Sequence, residues 1–83
     1  MMTNVEENVV CVVNTIMETD LNNKNMQDNL QKMGMDSIKF VKIVIELEER
    51  FDIEVPDEKL LITEMSTLSQ LVAVVSKELQ NKK

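Results

Sequence analysis

A single glycine, Gly34, and a single proline, Pro56, punctuate 83 residues. Sheet architectures reverse direction often, and tight reversals use backbone angles that glycine, or a proline with its preset φ, supplies most readily. A chain with two such residues is expected to run in helices joined by polar loops, as an all-α bundle. Eighty-three residues are enough for one domain, 1–83, around one core. With 43% hydrophobic residues but only two aromatics, Phe40 and Phe51, that core has to be aliphatic.

Charge and absences narrow the function further. Nine lysines and arginines against 15 aspartates and glutamates give a formal charge of -6, which repels phosphate backbones and argues against a nucleic-acid partner. There is no histidine, and the one cysteine cannot form an internal disulfide, so acyl-transfer triads and zinc sites drop out. Cys11, inside the run Val9-Val10-Cys11-Val12-Val13, reads as a buried packing residue, because no neighbouring cation would lower its pKa. The N-terminus lacks the basic segment of a signal peptide, and no apolar run approaches the roughly 18 residues that span a bilayer. No membrane association and a reduced, cytoplasmic setting are therefore expected. A start at Met1-Met2 and an end at Lys82-Lys83 read as a discrete protein, expected to be monomeric.

Along the chain, Val5, Val9, Val12, Val13 and Ile16 recur at three-to-four spacing and predict a first helix over Val5 to Met17, with Asn4 as its cap and Glu6 and Glu7 in its first turn. The β-branched run could read as a strand, but a lone strand would have no partner. Residues 18–35 turn polar and read as a long ordered loop, with Leu21, Met26, Leu30 and Met33 left to dock it. The most regular helix follows from Ile38 to Arg50, with Phe40, Val41, Val44, Leu47 and Phe51 on its apolar side and Glu46, Glu48 and Glu49 pointing elsewhere. Residues 52–57 read as an extended connector, since Pro56 disfavours helical angles at Val55 and can open a helical turn of its own, placed at Asp57 to Leu61. Ser66 or Thr67 caps a last helix whose buried face is Leu68, Leu71, Val72, Val75 and Leu79.

Ser37 stands out because it opens the most regular helix behind an acidic residue. The first turn of a helix presents unbonded N–H groups and the positive pole of the dipole, so a phosphodiester on a serine there would be stabilised. The plain reading is that Asp36 or Ser37 is only a cap. Gly34-Met35-Asp36-Ser37-Ile38, however, resembles the G-x-D-S signature, followed by Leu or Ile, of acyl and peptidyl carrier proteins, whose serine receives 4′-phosphopantetheine from coenzyme A. The likeness continues through Ser37 to Phe51, similar to the family's second helix, and through Ile53-Glu54-Val55-Pro56-Asp57-Glu58, like its I-x-I/V-P-D-E connector. It covers essentially the whole chain.

The resemblance implies a four-helix acyl-carrier-like bundle with a long loop between helices 1 and 2 and a short third helix. It implies a free-standing carrier, not an enzyme, that holds acyl, aminoacyl or peptidyl groups as thioesters on a 4′-phosphopantetheine arm at Ser37. A phosphopantetheinyl transferase using magnesium would attach the arm, with Asp36 serving its recognition as well as capping. Loading and condensing or modifying enzymes would be the further partners. Ile38 and Ile45, seven apart with Lys42 between them, suggest a docking face that includes Lys39 and Glu49 and that Met35 and Ile62 could extend; alternatively, Ile38 and Ile45 are the margin of a wide core stripe, and the methionines are core fillers.

Two departures weigh on the pathway. Lys39, Lys42 and Arg50 stand where carriers of fatty-acid synthesis usually have acids, and residues 60–67 make a longer connector than theirs. The basic residues favour a polyketide or nonribosomal-peptide type of specialised pathway over fatty-acid synthesis, and the longer connector leaves the third helix and the cleft wall open. In such a pathway the lysines would select partners by repelling wrong ones. A helical adaptor that binds a partner through the same helix without a cofactor is the alternative from another class, and it would tolerate alanine at Ser37. An enzyme in its own right finds no base among these residues to activate Cys11 or Ser37.

Overall fold

The computed structural model describes residues 3–56, 58 and 60–81. Its three α-helices are α1 (Asn4–Met17), α2 (Ser37–Phe51) and α3 (Leu68–Asn81), and no strand occurs among the described residues. Single turns of 3-10 helix lie at Asn23–Asn25, Gln31–Met33 and Ile62–Glu64. The helix expected at Asp57 to Leu61 falls partly on Asp57 and Lys59, which lie outside the described residues.

Each α-helix begins on a side chain that accepts an orphan N–H. Thr3, not Asn4, caps α1: its Oγ1 accepts the Glu6 N–H at 3.1 Å and Glu6 Oε1 accepts the Thr3 N–H at 2.7 Å. This reciprocal pair satisfies two donors at once, which a cap at Asn4 would not. At α3 the choice between Ser66 and Thr67 falls to Thr67, whose Oγ1 accepts the Gln70 N–H at 3.1 Å while Gln70 Oε1 accepts the Thr67 N–H at 3.2 Å.

The core is aliphatic, as the composition requires. α1 packs against both α2 and α3 through Val9, Val12 and Val13, which meet Ile43, Leu47, Leu68, Leu71 and Val75 in one buried cluster. Cys11 is exposed, contrary to the packing role expected for it. At about 100° per residue, Val9, Val10, Val12 and Val13 cover an arc of about 160°, and Cys11 falls opposite the centre of that arc. Ile43 is fully buried, although the apolar stripe read from sequence left it out. Arg50 reaches from α2 to α1, where its Nη1 donates to Asn8 Oδ1 at 3.2 Å.

Between α1 and α2 the polar chain is held by a few specific bonds. Asn14, in the last turns of α1, accepts the Leu21 N–H and the Thr19 hydroxyl at its Oδ1, both at 2.8 Å, and its Nδ2 donates to Leu21 O at 3.0 Å. Farther on, Leu30 is fully buried and its N–H donates to Ser66 O at 2.7 Å, while the Ser69 N–H donates to Met26 O at 3.0 Å. These bonds tie the segment to the start of α3. An Asn14→Ala protein is expected to lose about 2 kcal/mol in urea unfolding, because half-buried partners are left without their bonds; Asn14→Asp, which keeps both acceptor contacts and loses the donor, should fall between it and the parent.

Candidate functional site

α2 starts where Gly34, at φ 111°, reverses the chain in a left-handed conformation that side chains other than glycine's rarely adopt. Asp36 then caps the helix: its Oδ1 accepts the Lys39 N–H at 2.8 Å. Ser37 is the first helical residue and is exposed. Its hydroxyl therefore lies at the positive pole of a 15-residue helix, among first-turn N–H groups that have no acceptor within the helix. Lys39 adds an ammonium to this region, its Nζ donating to Gly34 O at 3.4 Å.

Ser37 also stands at the rim of a groove of about 270 Å³. One wall is the α2 stripe of Phe40, Val41, Val44 and Ile45, and the other is Leu60 and Ile62 of the connector. Glu48 is the one carboxylate on the lining. It is half-buried, and its Oε2 accepts the Val55 N–H at 2.9 Å, so it holds the connector against α2 instead of lying on a solvated face. Among the described residues, no three histidines, cysteines, aspartates or glutamates are grouped to hold a metal ion.

The residues marked out by sequence fall into three places. Ser37, Ile45 and Ile62 share the groove. Ile38, Lys42, Ile45 and Glu49, spaced four, three and four apart, run along the outer side of α2, with Ile38 67% exposed, Ile45 49% exposed, and Lys42 and Glu49 exposed; Lys39, half-buried, stands beside the first of them. Met35 does not belong to that face. It is 3% exposed and packs in the core, because its N–H donates to Leu30 O at 3.0 Å and the turn before α2 is folded inward with Leu30. Val41, read from spacing as part of the apolar side of α2, lines the groove and is 51% exposed. Glu48 and Leu60 were missed as groove residues. The spacing of Glu48, eleven residues after Ser37 on one helix, was the available signal for the first, and nothing in the connector's sequence points to the second.

A phosphodiester fits at Ser37, since the hydroxyl is exposed and the helix pole favours an anion there. The chain belongs to the family of phosphopantetheine-binding carriers: residues 8–75 match the model described as the phosphopantetheine attachment site, and the all-helical fold is consistent with it. The chain is also similar to a curated D-alanyl carrier protein of Leuconostoc citreum (strain KM20), 30% identical over 71 residues, which cover 86% of this chain and 91% of the relative. Membership makes the chain a tethering protein without catalytic activity, on which 4′-phosphopantetheine is the covalent cofactor. Such carriers work with phosphopantetheinyl transferases and with the enzymes that act on the tethered group. No helix among the described residues is long and apolar enough to cross a membrane.

Proposed function

We propose that Ser37 is the attachment residue of a single carrier domain over residues 1–83, and that its cargo is an aminoacyl group of a dedicated, peptidyl-type pathway. The observation that carries the reading is an exposed serine on the first turn of α2, inside the family match and at the rim of an apolar groove. In the loading step a bond forms between Ser37 Oγ and the phosphorus of the pantetheine half of coenzyme A. The pyrophosphate linkage breaks, the adenosine nucleotide leaves, and the hydroxyl proton passes to the transferase or to water. The bound group supplies a thiol on which cargo is held as a thioester. The chain's own residues tether it and raise its effective concentration at each partner.

Aminoacyl cargo is favoured by the relative, which is named for D-alanyl, and by the cations on α2, which depart from the acidic helix of fatty-acid carriers. Partners would dock on the outer side of α2, with Ile38 and Ile45 as apolar contacts and Lys39, Lys42 and Glu49 setting orientation. A short fourth helical element in the connector, and a cytoplasmic setting, complete the reading. Incubation with coenzyme A, magnesium and a phosphopantetheinyl transferase of broad tolerance should add the mass of one phosphopantetheine; an unchanged mass on folded protein, with a known carrier modified in the same tube, would refute it.

Asp36 has two roles that one pair of variants separates. Asp36→Asn keeps an oxygen for the Lys39 N–H, so its unfolding free energy should stay within about 0.5 kcal/mol of the parent, whereas Asp36→Ala should lose about 1 kcal/mol. Transferase recognition through the charge predicts that both variants take up the arm roughly tenfold more slowly, the worth of one charged contact. A time course of intact mass alongside a denaturation curve reads both effects.

A further inference from the structure

The two ends of the groove differ in electrical sign. Ser37, Val41, Val44 and Glu48, spaced four, three and four apart, form one stripe along α2 and all line the groove. The eleven residues from Ser37 to Glu48 make just over three turns and an axial distance of about 16 Å. At the serine end is the positive pole of α2. At the other end are the Glu48 carboxylate and, less than a turn on, the negative pole. The walls between are apolar. A carboxylate half-buried in such a wall is costly unless it is hydrogen-bonded or paired. The Val55 N–H uses one of its roughly four acceptor positions and holds the group in place.

We propose that Glu48 is a specificity-determining residue that receives the ammonium of an α-aminoacyl group at the end of the arm, so that the groove favours aminoacyl over neutral acyl cargo. The inference rests on Ser37 as the attachment residue. A phosphopantetheine arm is about as long as five extended residues, roughly 17 Å, which matches the distance from Ser37 to Glu48 along the helix. An aminoacyl-loaded arm is anionic at its serine end and cationic at its cargo end, complementary to the groove at both. A neutral acyl group would cover the carboxylate and give it no partner in exchange for water.

The test attaches hydrolysis-resistant amide analogues of alanyl and isobutyryl pantetheine from the corresponding coenzyme A derivatives, two cargoes that differ by an ammonium in place of a methyl. Intact mass first establishes attachment, and a parent that gains no mass overturns the Ser37 reading and this inference with it. With both arms attached, proton–nitrogen correlation spectra should show the Val55 amide resonance displaced by the alanyl arm and not by the isobutyryl arm. That displacement should vanish in Glu48→Gln, which preserves the side chain's shape and an acceptor for the Val55 N–H, and should shrink in the parent as salt is raised. If Glu48→Gln does not fold, the salt series on the parent decides. Equal displacement by the two cargoes, or an alanyl displacement indifferent to salt, overturns the proposal and leaves Glu48 as a brace for the connector alone.

Discussion

A Ser37→Ala protein is expected to fold as the parent does and to gain no mass under conditions that convert the parent fully. The contrast is sharp because the hydroxyl contributes chemistry and little stability. Ser37 is exposed, the Asp36 carboxylate already caps the helix, and alanine is a good helix former, so unfolding should shift by no more than about 0.5 kcal/mol. The loss of modification, by contrast, is complete, since no other atom can stand in for Oγ. Two other hydroxyls bound the result: Thr67 and Ser66 lie at the start of α3 as a cap and in a buried position, and a transferase that modified either would leave Ser37→Ala reactive. A partial mass gain on Ser37→Ala would move the attachment point elsewhere, and a normal gain would refute the assignment.

The largest stability effect is expected at Ile43. Its side chain is fully buried where α2 packs on α1, so Ile43→Ala should cost about 2–5 kcal/mol. A domain of this size has roughly 4–12 kcal/mol in total, and 1 kcal/mol corresponds to about 4–8 °C in Tm. A fall of at least about 8 °C is therefore expected by calorimetry or circular dichroism. Ile45→Ala, two residues along the same helix, is the internal comparison. That side chain is 49% exposed, and its loss should cost less than about 1 kcal/mol while weakening any contact made by the outer side of α2. Equal destabilisation by the two substitutions would contradict the described orientation of α2.

The difference between those two isoleucines shows where legibility ended. Spacing along α2 identified a helix with one apolar side, and Phe40, Val44 and Leu47 are buried as that spacing implies. Ile43 lies three residues after Phe40 and four before Leu47, so the pattern contained it. An α2 carrying apolar residues at positions 38, 40, 41, 43, 44, 45 and 47 is apolar over most of its circumference, and periodicity alone cannot divide so wide an arc into core, groove and outer side. Met35 failed for a related reason. Its neighbours Asp36 and Ser37 are exposed, and only the inward fold of the Leu30 turn, fixed by bonds to Ser66 and within the turn itself, carries Met35 to the interior.

Local structure was legible in the chain itself: few turn residues favour helices, and Gly34-Met35-Asp36-Ser37 predicts a reversal, a cap and an exposed helix start. These depend on residues within one or two turns of each other, where backbone angles and short hydrogen bonds decide the outcome. What the tertiary structure alone decided is which side of α2 meets which neighbour. By spacing Glu48 is one of three acids that point away from the apolar side of α2; Val55, Leu60 and Ile62, lying alongside α2, make it a bonded, half-buried carboxylate at the end of an apolar groove. The physical reason is that a side chain's burial is set by what lies across from it, and the distant chain that lies across is placed by the collective packing of the core.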